Sequence, residues 1–165
     1  MELYLLRHGI AVELGTAGIK RDEDRTLTAE GTGKIKEGVR TMRRLKLSFD
    51  KIFSSPYPRA LETARIVARG LDATKKVETI DALKPGGTLQ EIIEILRPYH
   101  SQTILLVGHE PKLSGLISFL ISGRPALSIT MKKGGLAKLS VDVLEYGKCA
   151  TLNWILTPRH LALMN

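Results

Sequence analysis

Three short, mostly apolar runs in this 165-residue chain each end in a turn that carries an arginine or a histidine. Residues 2–6 lead into Arg7-His8-Gly9, residues 51–54 into Ser55-Pro56-Tyr57-Pro58-Arg59, and residues 103–107 into Gly108-His109. Runs this short suit buried strands better than core helices. Helical periods fill the intervals. Thr28 can cap a helix with Ile35, Val39 and Met42 at helical spacing, ending near Leu47. Pro56 and Pro58 open a second, with Leu61, Ala64, Ala68 and Leu71 on one face, which puts Arg59 in its first turn. Leu89, Ile92, Ile93 and Leu96 mark a third helix; Leu113, Leu116, Ile117, Leu120 and Ile121 mark a fourth. Residues 75–80 read as an edge strand, and residues 136–141 and 150–156 as two more strands.

Strand and helix in alternation predict an α/β layered sandwich with a mostly parallel sheet flanked by helices, and ligands bind beyond the carboxyl ends of such strands. Arg7, His8, Arg59 and His109 each follow a strand, so the fold is expected to gather them at one sheet edge. No repeat, low-complexity tract or Pro/Gly/Ser-rich linker divides the chain, and residues 1–165 are expected to form a single domain.

No apolar run approaches the roughly 20 residues that span a bilayer, and charges interrupt the stretch where a signal peptide is apolar. A cytoplasmic location without membrane contact is expected. Cys149 is the only cysteine, which excludes an internal disulfide and a thiolate metal cluster. It reads as a small strand residue. The net charge of +8 suits anionic partners. Lys36, Arg40, Arg43 and Arg44 share a helix face, but no aromatic residues interleave with them, so the reading is a solvated face and no nucleic-acid partner.

Two arginines and two histidines without a carboxylate cluster make a poor metal site and a good phosphoryl cradle, so neither metal nor cofactor is expected. Arg7 and Arg59 offer planar forks that match phosphate oxygens, and backbone donors from the first turn after Pro58 would add to them. Neutral His8 can attack phosphorus and divide one difficult displacement into two. His109 would donate a hydrogen bond to the phosphoryl oxygens as charge builds on them. Arg25 has two readings: it reaches the pocket rim, or it balances Asp22, Glu23 and Asp24. His100 and His160 read as exposed or structural, and Trp154 as core.

The segments Leu5-Leu6-Arg7-His8-Gly9, Ser54-Ser55-Pro56-Tyr57-Pro58-Arg59-Ala60 with Thr63-Ala64, and Val107-Gly108-His109-Glu110-Pro111 together resemble the histidine phosphatase superfamily. The short length, Arg25-Thr26-Leu27-Thr28 with Gly31, Leu83-Lys84-Pro85-Gly86-Gly87 and Asn153-Trp154-Ile155-Leu156-Thr157-Pro158 resemble its SixA-type phosphohistidine phosphatases. The resemblance implies a phosphoglycerate-mutase-like fold, His8 as nucleophile, and Arg7, Arg59 and His109 as the phosphate pocket. It also points to phosphohistidine on a protein, with a histidine-containing phosphotransfer domain in signal transduction as partner. A chain this short has little room for a roof over the site, and an open pocket suits a side chain presented by another protein. The rival expectation is a phosphomonoesterase for small metabolites, with Glu110 as the acid that an alkoxide leaving group needs.

Overall fold

The computed structural model describes residues 1–100 and 102–164. Six strands form one sheet: β1 (Glu2–Arg7), β2 (Lys51–Ser54), β3 (Val77–Thr79), β4 (Thr103–Gly108), β5 (Leu136–Val141) and β6 (Ala150–Leu156), in the order β3-β2-β4-β1-β5-β6. The pairs β1–β4, β2–β4 and β2–β3 are parallel, whereas β5 runs antiparallel to both β1 and β6. Reversal of β5 alone leaves β6 pointing with the parallel strands. The sheet is therefore mixed, close to the mostly parallel expectation.

Among the described residues, five α-helices cover it: α1 (Ala29–Arg44), α2 (Pro58–Gly70), α3 (Leu89–Leu96), α4 (Lys112–Ser122) and α5 (Pro158–Leu163). Because side chains alternate across a strand, β1 sends Leu3 and Leu5 into one core and Tyr4 and Leu6 into another. The first core takes Ile92, Ile93 and Leu96 of α3 and Leu113, Leu116 and Ile117 of α4. The second takes Ile35, Val39 and Met42 of α1, Ala60, Ala64, Val67 and Ala68 of α2, and Leu161 of α5. Burial on both faces is why the central strands read as continuous apolar runs.

Several boundaries differ from expectation. The strand expected over residues 75–80 is shorter, because Thr74–Lys76 forms a 3-10 turn first. Helix α1 stops at Arg44, and Lys46 adopts a left-handed φ of 53° in the turn that follows. Cys149 lies just before β6 rather than on a strand. Helix α5 was not anticipated; Thr157 caps it, with its hydroxyl accepting from the His160 amide at 3.3 Å, and Pro158 opens it. Lys36, Arg40, Arg43 and Arg44 are exposed along α1, as read from the sequence. Trp154 packs edge-on against Tyr4, with ring centroids 5.9 Å apart. His100 and His160 are exposed.

Candidate active site

The carboxyl ends of β1, β2 and β4 lie side by side at the sheet centre, which brings Arg7, His8, Arg59 and His109 into one cleft of about 410 Å³. Asp22, Arg25, Pro85, Glu110 and Lys133 complete its lining. A larger groove of about 700 Å³ between α1 and α2 contains none of the four expected side chains. Backbone bonds fix the crossing point: the His8 amide donates to the Gly108 carbonyl at 3.1 Å, and the Arg7 amide to Gly135 at 3.0 Å. The Gly134 amide is shared between the Arg7 and His8 carbonyls at 3.0 and 3.1 Å, from a backbone with φ of 77° that glycine adopts without strain. The sheet and this turn hold the β1 end from both sides.

His8 is 6% exposed, and its Nδ1 lies 2.7 Å from the Gly9 carbonyl. A carbonyl only accepts, so Nδ1 carries the proton and Nε2 keeps its lone pair. That lone pair faces the Arg59 Nε–H at 3.3 Å. Burial, opposed by the Gly9 bond and assisted by the charges of Arg59, Arg7 and Lys133, lowers the His8 pKa from 6.5 to about 4. The ring is neutral at pH 7. A neutral imidazole whose unprotonated Nε2 faces a buried guanidinium is equipped to attack an electrophile that displaces that hydrogen bond and is held by the cation.

His109 is buried beside it, with the two ring centroids 5.0 Å apart. Its Nε2 lies 2.8 Å from the Ser55 hydroxyl, and that oxygen accepts the Tyr57 amide at 3.3 Å. With the Tyr57 amide on one lone pair, the Ser55 hydroxyl still has its own proton to donate to Nε2, and in that arrangement the ring proton lies on Nδ1. Burial, then the charges of His8 and Arg59, lower the His109 pKa to about 3. Among the described residues, His109 Nδ1 and Arg7 Nε are buried without a protein partner. Such donors carry a desolvation cost that an oxyanion would relieve. Arg7 is anchored through one guanidinium nitrogen, which donates to the Met131 carbonyl at 2.8 Å.

Arg59 is 4% exposed and also binds Asp22, with a guanidinium nitrogen 2.7 Å from the Asp22 carboxylate and another donating to its carbonyl at 2.5 Å. Thr63 supports the pair from below: its hydroxyl donates to the Arg59 carbonyl at 2.7 Å and accepts the Gly9 amide at 3.1 Å. The expected donors from the first turn of α2 are not available. The Arg59 amide goes to the Arg25 carbonyl at 3.1 Å, and the Ala60 and Leu61 amides go to Tyr57. Arg25 lines the cleft and pairs with Asp22 at 2.9 Å. Glu110 also lines the cleft, with Oε1 accepting the Ser114 amide at 3.0 Å.

The carboxylate of Asp22, which the sequence reading did not assign to the site, lines the cleft beside Arg59. The local acid-rich sequence 22–24 gave a charge signal without saying which carboxylate would reach Arg59. Lys133 lines the cleft and Ser55 is buried against His109, and the sequence pattern assigned neither to the site. Among the described residues, no group of three His, Cys, Asp or Glu side chains could hold a metal ion, and no helix is long and apolar enough to cross a membrane.

Comparison with known proteins places the chain among relatives of similar sequence and fold. An uncharacterized protein of Picosynechococcus sp. is 32% identical over 142 residues, covering 84% of each chain. Phosphohistidine phosphatase SixA of Escherichia coli is 26% identical over 98% of this chain and 96% of its own. In fold, the chain is similar to the protein histidine phosphatase SixA complexed with tungstate, with a TM-score of 0.82 and 24% identity over 98% of this chain and 99% of that one. It is also similar to a phosphoserine phosphatase from Entamoeba histolytica in complex with 3-phosphoglyceric acid, with a TM-score of 0.72 and 20% identity over 97% and 98% of the two chains. The histidine phosphatase superfamily (branch 1) matches residues 3–85, a segment that includes Arg7, His8 and Arg59. With half of its length matched, Arg7, His8 and Arg59 included, the chain belongs to the histidine phosphatase superfamily, as a SixA-like phosphatase.

Proposed function

We propose that this phosphatase removes the phosphoryl group from phosphohistidine on a protein, through a phosphoryl-enzyme intermediate on Nε2 of His8. The observation that carries the reading is the fixed tautomer of His8: Nδ1–H on the Gly9 carbonyl, and the Nε2 lone pair against Arg59. In the first step Nε2 attacks phosphorus, the bond from phosphorus to the substrate nitrogen breaks, and that nitrogen takes the electron pair. Water then attacks phosphorus and returns His8 to its neutral form. Arg7, Arg59 and the Nδ1–H of His109 bind the phosphoryl oxygens, and the two guanidinium charges stabilise the in-line transition state.

The 26% identity to an Escherichia coli phosphohistidine phosphatase over nearly the whole chain supports this substrate class. Chemistry supports it as well. Transfer from one imidazole to another exchanges like bonds, so the site needs no strong leaving-group acid. A histidine-containing phosphotransfer domain is the partner this reading favours, residues 1–165 act as one domain, and Arg25 serves the substrate from the rim. The second reading, a phosphomonoesterase for small metabolites, rests on Glu110 in the cleft wall.

The test is kcat/KM for a phosphohistidine protein against a panel of alkyl and aryl phosphate esters, together with rapid quenching during turnover. A preference for phosphohistidine and an acid-labile, base-stable adduct on His8 are expected. A preference for one small ester, or an adduct on another residue, would reject the reading.

A further inference from the structure

Building on that reading, we propose that Asp22 recognises the leaving imidazole of the substrate, accepting a hydrogen bond from the ring nitrogen that does not carry phosphorus. His8 supplies the pattern. When its Nε2 takes the phosphoryl group, the proton stays on Nδ1, hydrogen-bonded to the Gly9 carbonyl, so the ring of phospho-His8 is an imidazolium that later leaves phosphorus as a neutral imidazole. The substrate imidazole faces the same requirement in the first step. If its second nitrogen is bare, cleavage expels an imidazolate, a very poor leaving group. With that nitrogen protonated, the pair from the broken bond returns to the phosphorus-bearing nitrogen and a neutral imidazole departs. No proton need move during the transfer.

The substrate ring therefore needs an acceptor that stays ionised, and Asp22 meets the requirement. Its carboxylate is held by Arg59 at 2.7 Å on one oxygen and by Arg25 at 2.9 Å on the other. A carboxylate oxygen has more than one acceptor site, so both arginines can remain while a third donor arrives. Burial works to raise its pKa, but the hydrogen bonds and charges of Arg25 and Arg59 outweigh that and hold it below the ordinary value. Position agrees. Arg59 joins Asp22 to Nε2 of His8, and the Asp22 side chain is 50% exposed, at the mouth of the cleft where a protein-borne ring would enter. An ester leaving group carries no such N–H, and a carboxylate held ionised has no proton to give it. Asp22 thus discriminates between the two substrate classes.

The experiment compares wild type with Asp22→Asn on a phosphohistidine protein and on p-nitrophenyl phosphate, each as a function of pH. The ratio of the two kcat/KM values should fall at least about tenfold in the variant, the size of one charge-assisted hydrogen bond. The alkaline limb of kcat on phosphohistidine should move to lower pH by about one unit, because the carboxylate no longer favours the protonated ring. Equal losses on both substrates with an unmoved alkaline limb would mean that Asp22 only steadies Arg59, and would overturn the proposal. A wild type that ignores phosphohistidine would instead reject the substrate reading itself, and this proposal with it.

Discussion

The Ser55 hydroxyl lies 2.8 Å from Nε2 of His109, and when it donates there the ring proton lies on Nδ1. Nothing else among the bonds described fixes the His109 tautomer, since its Nδ1 has no protein partner. Ser55→Ala should let the proton sit on either nitrogen, so part of the population would present a lone pair to the phosphoryl oxygens. The expected loss in kcat/KM is about tenfold, the size of one hydrogen bond in the transition state. Vanadate affinity should fall with it. Unchanged kinetics would show that the oxyanion itself selects the tautomer.

His8 and His109 make the folded protein acid-sensitive. For His8, the folded pKa of about 4 lies below the 6.5 of an unperturbed histidine, so between those values the unfolded chain binds a proton that the folded one refuses. The contribution is whole above pH 6.5 and disappears as pH falls toward 4, on the order of 3 kcal/mol for His8. His109 acts with the same sign over a wider window, down to about 3. Thermal unfolding between pH 7 and 4.5 should show a shallower loss of Tm in His8→Ala than in wild type. Parallel curves would mean that His8 does not carry this coupling.

Arg59 touches both His8 and Asp22, and those contacts use the separate nitrogens of a planar fork. Arg59→Ala should lower kcat/KM on the order of a hundredfold, as loss of a transition-state donor does. Arg59→Lys should recover only part, because one ammonium cannot face His8, Asp22 and a phosphoryl group together. Vanadate inhibition constants for both variants provide the check. Full rescue by lysine would reduce the role of Arg59 to charge alone.

The residues that bear side-chain chemistry at strand ends were legible in the sequence, because a strand followed at once by Arg-His or Gly-His leaves few other places for those groups. Helices α1 to α4 were legible for a related reason: Ile35, Val39 and Met42 repeat at the helical period and pack on one core. What escaped depends on contacts between distant segments. Asp22 meets Arg59 across 37 positions, and Ser55 meets His109 across 54. No local period encodes such a meeting. The reversed β5 escaped too, since an apolar strand reads alike in either direction. Helix α5 is a single capped segment of six residues, too short to display a period.

Glu110 is where the two substrate readings part. Its Oε1 accepts the Ser114 amide at 3.0 Å, close to the start of α4, so the side chain has a structural duty as well as a place in the cleft. Glu110→Gln retains a carbonyl oxygen for that amide and removes the acid, which separates the two duties. With phosphohistidine as the physiological substrate, the loss in kcat/KM should be about threefold or less on phosphohistidine protein. It should reach a hundredfold or more on alkyl phosphate esters, roughly the range for removal of a general acid. Aryl esters, which leave more readily, should fall between. If all three substrates suffer equally and heavily, Glu110 acts by fixing the segment that carries His109, and proton donation to the leaving group is not its role.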